Sequence, residues 1–194
     1  IGTPDSRSAR AIESAWQKLR MHPGRGPEIM RSLKSELLAQ NDTQETVTAI
    51  LAFLNSGRDA DTGMGFRVGP DHLLTDWPSF RVALLDWLYA LSPSDAAAYS
   101  TTIFNQTRNA DEWALAMRAL ALHDPASEKV VLDHVNSLLM HNDWRESPSA
   151  GYVHALDAIV YFRAVEFTSQ LSSHVSRTSP NPGLSYAASL VLDR

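Results

Sequence analysis

Apolar residues recur at helical spacing along most of the chain. The clearest stretch is PSFRVALLDWLYAL, whose large apolar side chains fall on one stripe of a helix: Phe80, Leu84, Trp87, Leu88 and Leu91. Similar spacing bounded by capping residues predicts further helices. The predicted helices are 5–20, 27–41, 43–56, 78–91, 93–106, 110–123, 126–140 and 151–169, with a shorter one after Gly183.

The break between two of these helices is repeated. Ser92 is followed by a proline that suits the first position of a helix, and Asp124 is followed by another, 32 residues later. A third copy of the break begins at Asp42. Asp42 precedes Ser92 by 50 residues, 18 more than the repeat, and the segment 58–75 has that length. The pattern therefore predicts an internal helical repeat with one insertion.

The segment DWPSFRVALLDWLYAL resembles the first helix of a HEAT-type repeat. The resemblance is carried by a proline, an arginine and spaced small and apolar residues: Pro78, Arg81, Ala83, Leu84 and Leu88. It covers roughly residues 40–140 and implies an α-solenoid, in which helical hairpins stack side by side.

We therefore predict one all-α domain covering 1–194. Helices joined by a one- or two-residue cap must fold back antiparallel, and their apolar stripes are buried when the hairpins stack. The prediction is a short, HEAT-like α-solenoid of stacked antiparallel helical hairpins, with one inserted β-hairpin-like loop. Its hairpins are 27–57, 77–106 and 109–140, its N-terminal helix is 5–20, and its C-terminal helix is 151–169 with a tail.

Composition narrows the possible partners and cofactors. The net charge of −5 disfavours nucleic acid and anionic membranes, and no apolar run approaches the roughly 20 residues of a membrane helix. The absence of cysteine excludes disulfides, thiolate metal sites and thiol nucleophiles. A chain beginning with Ile1 favours a processed bacterial exported protein, with a cytoplasmic or trimmed chain as the alternatives.

The inserted segment RDADTGMGFRVGPDHLLTD, residues 58–76, comes close to two ligand-binding motifs. Asp59 and Asp61 have the spacing of the first two EF-hand ligands, but Met64 occupies the glycine position and Pro70 the position of the bidentate carboxylate. Its glycines are also spaced incorrectly for a dinucleotide loop. We therefore expect neither a metal nor a cofactor, and we predict a β-hairpin turning at GPDH.

The insertion and a second loop, HNDWRESPSAGY at 141–152, are predicted to lie on one edge of the stacked hairpins. Both loops carry Asp-Trp shortly before a proline, and Trp with Arg and Tyr is typical of binding hot spots. We predict a protein-interaction or scaffold module without catalytic residues, whose partner is unidentified. The predicted binding residues are Arg67, Asp71, His72, Trp77, Trp144, Arg145 and Tyr152. In the competing interpretation, each Trp packs over the end of a helix pair.

Two other functions stay open. In a small hydrolase-like acid/base enzyme, His154 and Asp157 would share one helical face, with Glu166 nine residues further on. His134 and His141 lack the HExxH pattern of a zinc site. In a structural cap of a larger protein, the segment Leu184–Leu192 would present an apolar patch.

Overall fold

The fold was obtained as a computed structural model, which describes residues 6–40, 42–107, 109–175 and 182–194. It is all-α, with one small two-stranded sheet, and this confirms the predicted fold class. Contacts between residues divide the chain into two compact units, unit 1 at Ile1–Asp95 and unit 2 at Ala96–Arg194. The HEAT-like identity of the repeat stays a prediction.

Unit 1 is built on four helices, in which α1 packs against α2 and α3, and α3 packs against α4. The N-terminal helix thus contacts both members of the predicted 27–57 hairpin. Side-chain oxygens of Ser6, Asp42 and Ser79 accept hydrogen bonds from the first turns of α1, α3 and α4. The elements are α1 Arg7–Met21, a 3-10 turn at Pro23–Arg25, α2 Gly26–Leu38, α3 Thr43–Asn55, β1 Arg67–Val68, β2 Leu74–Asp76 and α4 Phe80–Leu91.

The insertion contains the predicted hairpin. β1 and β2 are antiparallel, with Arg67 opposite Asp76 and Val68 opposite Leu74. The backbone N–H of Gly69 donates to the Leu73 carbonyl at 2.7 Å and closes the turn. Residues 67–72, which we call the hairpin tip, hold the GPDH turn.

The base of the insertion belongs to the core of unit 1. Leu74 and Trp77 are buried, and both donate hydrogen bonds to the buried carboxylate of Asp86 on α4. The Leu74 N–H lies 3.1 Å from each carboxylate oxygen, and the Trp77 Nε1–H lies 3.0 Å from Oδ2. A carboxylate removed from water needs such donors, because burying an unpaired charge costs far more than the roughly 2–7 kcal/mol of an unpaired amide or hydroxyl. The base of the insertion is therefore part of the core, whereas Arg67, Asp71 and His72 of the tip are exposed.

The two aspartates of the near-EF-hand string serve the backbone. Asp59 Oδ1 accepts from the Arg81 N–H at 2.8 Å, and Asp61 Oδ1 accepts from the Gly63 N–H at 2.7 Å. Gly63 has a φ of +70°, in the left-handed region that glycine adopts without strain. Both carboxylates therefore fix the shape of the loop.

Unit 2 contains shorter helices towards its end, with α6 packed against α7 and α9, α7 against α10, and α11 against α12. The elements are α5 Pro93–Gln106, which begins at the boundary of the units, α6 Ala110–His123, a 3-10 turn at Pro125–Ser127, α7 Glu128–Met140, α8 Asn142–Glu146, α9 Ala150–Ala155, α10 Asp157–Phe162, a 3-10 turn at Val165–Phe167, α11 Thr168–His174 and α12 Pro182–Leu192.

The prediction of one helix over 151–169 is wrong, because that span holds α9, α10, a 3-10 turn and the start of α11. α10 ends at Phe162 and is followed by the cap residue Arg163, which has a φ of 54°, and the Ala164 N–H donates to the Ile159 carbonyl at 2.9 Å. This left-handed cap ends the helix without the glycine that usually marks such a position. The tail helix α12 was predicted.

Gly26 gives a direct test of how the insertion packs. A Cβ at this position would lie 1.7 Å from the Thr62 carbonyl oxygen, whereas a Cβ on Gly24 would meet nothing within 4 Å. We expect Gly26→Ala to lower the free energy of unfolding by about 1–3 kcal/mol or more, because backbone must move to admit the methyl group. Gly24→Ala should change it by less than about 1 kcal/mol. Equal urea midpoints for the two variants would contradict this packing.

Candidate functional site

The hairpin tip in unit 1 carries three of the predicted binding residues. Arg67, Asp71 and His72 are all exposed, and the Arg67 side chain is 76% exposed. The Arg67 Nε lies 3.2 Å from Asp76 Oδ2, and Asp71 Oδ1 accepts from the Leu73 N–H at 3.2 Å. The structure therefore brings these side chains together on one short, solvent-facing turn.

Trp77 is not part of that surface. It is only 4% exposed, and its ring packs edge-on against Trp87 with centroids 5.3 Å apart. Its single polar atom is bonded to Asp86. The prediction of Trp77 as a binding residue is therefore wrong, and the competing interpretation of a tryptophan packed into the end of the helices holds here.

Trp144 in unit 2 belongs to a continuous group of rings on several helices. Its ring packs edge-on against Trp113, with centroids 5.3 Å apart, and stacks on His141 at 4.1 Å. The ring centroid of Trp113 in turn lies 5.3 Å from that of Phe104 and 5.4 Å from that of His134. The Phe104 and His134 rings stack on each other, with centroids 3.7 Å apart. All five rings are half-buried. We call Phe104, Trp113, His134, His141 and Trp144 the aromatic cluster.

Hydrogen bonds orient two rings of the aromatic cluster. Trp113 Nε1–H donates to the Thr107 carbonyl at 3.1 Å, before α6 begins. His134 Nδ1 lies 2.7 Å from the Val130 carbonyl, one turn earlier on α7, so Nδ1 carries the hydrogen of the neutral ring. These bonds set the orientation of the rings on which Trp144 and Phe104 pack.

A buried carboxylate on α6 holds the far end of the 141–152 loop. Asp111 accepts hydrogen bonds from the Ser149 hydroxyl and from the Gly151 N–H, the latter at 3.0 Å. The Ser149 Oγ also accepts from the Tyr152 N–H at 3.1 Å and so caps α9. A Cβ on Gly151 would lie 2.3 Å from Asp111 Oδ1, which explains the glycine. Burial raises the pKa of Asp111, against the two hydrogen bonds.

The other two predicted residues of this loop differ in exposure. Arg145 is half-buried and donates from Nη2 to Asn142 Oδ1 at 2.9 Å. Tyr152 is fully buried, and its hydroxyl finds no hydrogen-bond partner among the described residues. Burial raises the pKa of Tyr152 to about 12, although the charge of Arg145 opposes that rise. The prediction of Tyr152 as a binding residue is therefore wrong.

The alternative acid/base group is assembled only in part. His154 Nδ1 lies 2.7 Å from Asp157 Oδ2, as the spacing predicts. Arg194 also binds Asp157, with Nη1 2.9 Å from Oδ1. Burial acts to raise the pKa of Asp157, but the hydrogen bonds and charges of His154 and Arg194 outweigh it and lower the pKa. Within the described ranges, Glu166 makes no hydrogen bond or ion pair and is exposed.

Sequence reasoning identified one member of the aromatic cluster, Trp144, as a binding residue. It considered His134 and His141 only as zinc ligands, and it did not consider Phe104 or Trp113. The missed signal is that Phe104 and Trp113 stand on either side of the short break between α5 and α6. The predicted placement of the 58–76 and 141–152 loops on one edge stays a prediction.

Comparison of the chain with protein-family models, curated proteins and solved structures finds no significant match. In the part of the chain that the structure describes, no helix is both long enough and apolar enough to cross a membrane. No three His, Asp or Glu side chains lie together there as a metal site requires. The aromatic cluster and the hairpin tip are therefore the candidate sites in the described residues.

Asp111 offers a test with an internal control. Asp111→Asn keeps an oxygen for Ser149 and Gly151, whereas Asp111→Ala removes both bonds and should cost about 1–3 kcal/mol of unfolding free energy. Because the folded-state pKa is raised above 3.8, the unfolded chain ionises first as pH rises, and wild-type stability falls.

The Asn variant should therefore gain stability relative to wild type as the pH rises above about 4. Urea unfolding of the three proteins across this range measures both effects. A stability difference between wild type and Asp111→Asn that does not change with pH would show that burial does not control this carboxyl group.

Proposed function

We propose that the chain is a protein-interaction or scaffold module. Its main contact surface would be the aromatic cluster of unit 2, and the hairpin tip of unit 1 would supply a second, polar contact. The observation that carries the proposal is the continuous packing of five half-buried rings around Trp113.

The composition of the aromatic cluster supports binding. Large rings contribute most of the energy of protein interfaces, and tryptophan is the residue most enriched at hot spots. Trp77 and Trp87 show that this fold can bury tryptophan completely. Trp113 and Trp144 are instead only partly buried, at a cost of about 25 cal/mol for each Å² of apolar surface that a partner could cover.

Preorganisation supports the same role. Trp144 is held between Trp113 and His141, and the loop that carries it is fixed by Asp111. A ring already in its bound orientation loses little conformational entropy when a partner arrives. The helical-repeat interpretation agrees with this role, since stacked hairpins present extended binding surfaces.

The hairpin tip supports a weaker contact. Arg67 can exchange its exposed pair with Asp76 for a partner's carboxylate at little cost, because exposed ion pairs contribute about 0–1 kcal/mol. Asp71 and His72 add an acceptor and an imidazole on the same turn.

The alternative, a small acid/base enzyme, is favoured by one contact, between His154 and Asp157. Three features weaken it. Asp157 is also paired with Arg194, its lowered pKa keeps it ionised, and Glu166 lies outside the pair. In this proposal His154, Asp157 and Glu166 have a structural role instead of a catalytic one. Asp157 links Arg194 to the start of α10.

Two pairs of variants test the proposal. We expect Trp144→Ala to reduce capture of a partner from cell extract about tenfold or more, and Arg67→Ala to reduce it by less. Tyr186→Ala is the control for the first, because Tyr186 is an aromatic residue of α12 that is 67% exposed. Arg25→Ala is the control for the second, because Arg25 also forms an exposed ion pair, with Glu28.

Captured proteins are quantified by mass spectrometry, and circular dichroism verifies that each variant is folded. Loss of capture with Trp144→Ala but not with Tyr186→Ala supports the aromatic cluster as the contact surface. Equal capture by the folded Trp144→Ala variant and wild type would refute it.

A further inference from the structure

We propose that the aromatic cluster binds a proline-rich segment in the polyproline II conformation, with a basic residue at one end. This inference rests on the proposed function and names the chemistry of the partner. Three observations carry it: the spacing of the rings, the hydrogen-bonding state of their polar atoms, and one unpaired carboxylate beside Trp144.

The ring spacing matches the ligand. Trp113 lies at the centre, with Trp144 and His134 each just over 5 Å away. Together these rings can extend over about one turn of a polyproline II helix, which has three residues and a length of roughly 9 Å. Aromatic-lined surfaces are the ones on which such helices dock, and here the prolyl rings would lie on the exposed parts of the rings.

The hydrogen-bonding state of the indole and imidazole nitrogens favours a ligand that offers a backbone acceptor. Trp113 Nε1–H is already bonded to Thr107, and His134 Nδ1 to Val130. The Trp144 Nε1–H carries no hydrogen bond among the described residues, and Trp144 is only partly buried. A proline residue offers a carbonyl acceptor and no N–H. The Trp144 indole N–H therefore suits a proline carbonyl, and a proline brings no N–H that would need an acceptor.

The negative charge of Asp143 favours a ligand with a basic residue at one end. Asp143 directly precedes Trp144. Its side chain is exposed, and within the described ranges its carboxylate makes no hydrogen bond or ion pair. The neighbouring Arg145 has Asn142 as a partner for its guanidinium. A lysine or arginine flanking the prolines would pair with Asp143, an attraction that added salt weakens.

An oligosaccharide is the competing ligand, because sugar rings also stack on tryptophan. Sugar hydroxyls, however, need several donors and acceptors beside the rings, and a site built for them leaves those groups ready to pair. Here one polar atom of Trp113 and one of His134 are hydrogen-bonded to the protein's own backbone. The Arg145 guanidinium is hydrogen-bonded to the Asn142 side chain. The observations therefore favour the peptide.

The test measures binding of two synthetic peptides, ten prolines and ten prolines followed by arginine, by isothermal titration calorimetry on the full chain. We expect saturable binding of both peptides, stronger for the one with arginine. Trp144→Ala should weaken it about tenfold or more, and Trp144→Phe, which keeps a ring without the N–H, should weaken it by less. Tyr186→Ala should leave it unchanged.

Asp143→Asn isolates the charge. It should weaken binding of the arginine peptide to the level of plain decaproline and should remove the salt dependence, while leaving decaproline binding unchanged. Equal loss for both peptides would contradict the assigned role of Asp143 and overturn the basic end of the ligand.

Failure of this inference is distinguishable from failure of the proposed function. If cellohexaose binds in a Trp144-dependent way and neither peptide does, the peptide assignment is overturned and the surface is a sugar site. If neither ligand binds but Trp144→Ala still abolishes capture of a partner, the peptide assignment is overturned and the proposed function stands. If capture also survives Trp144→Ala, both are refuted.

Discussion

The two units both depend on a buried carboxylate that accepts hydrogen bonds from a neighbouring loop. In unit 1, Asp86 receives the Leu74 backbone N–H and the Trp77 indole, and in unit 2 Asp111 receives Ser149 and Gly151. Backbone outside helices must find partners for its N–H groups when it is buried. A helix cannot supply them from its own backbone, so one of its side chains does.

This requirement decides which parts of the two loops belong to the core and which lie at the surface. Asp86 holds Leu74 and Trp77 at the base of the insertion in the core, while Arg67, Asp71 and His72 of the hairpin tip are exposed. Asp111 fixes the start of α9 against the first turn of α6, so the preceding loop has to lie near α6, where Trp144 meets Trp113. The same kind of hydrogen bonding thus makes Trp77 part of the core and positions Trp144 in the proposed binding surface.

Much of the fold was predictable, because helix spacing, caps and the GPDH turn are local signals. The end of α10 was not, because Arg163 adopts a left-handed conformation without a glycine or proline to mark it. Local sequence also could not separate Trp77 from Trp144, since both follow an aspartate. Their burial depends on contacts distant in sequence: Asp86 lies nine residues beyond Trp77, and Trp113 lies 31 residues before Trp144.

The central claim is that the aromatic cluster, rather than the buried tryptophans, is the functional surface. Its most direct test is the ¹H–¹⁵N spectrum of the indole N–H groups of all five tryptophans while the arginine-bearing proline peptide is added. The account predicts that the Trp144 signal moves most, that Trp113 moves less because its N–H stays on Thr107, and that Trp77 and Trp87 do not move. Saturable binding with an unmoved Trp144 signal would contradict it.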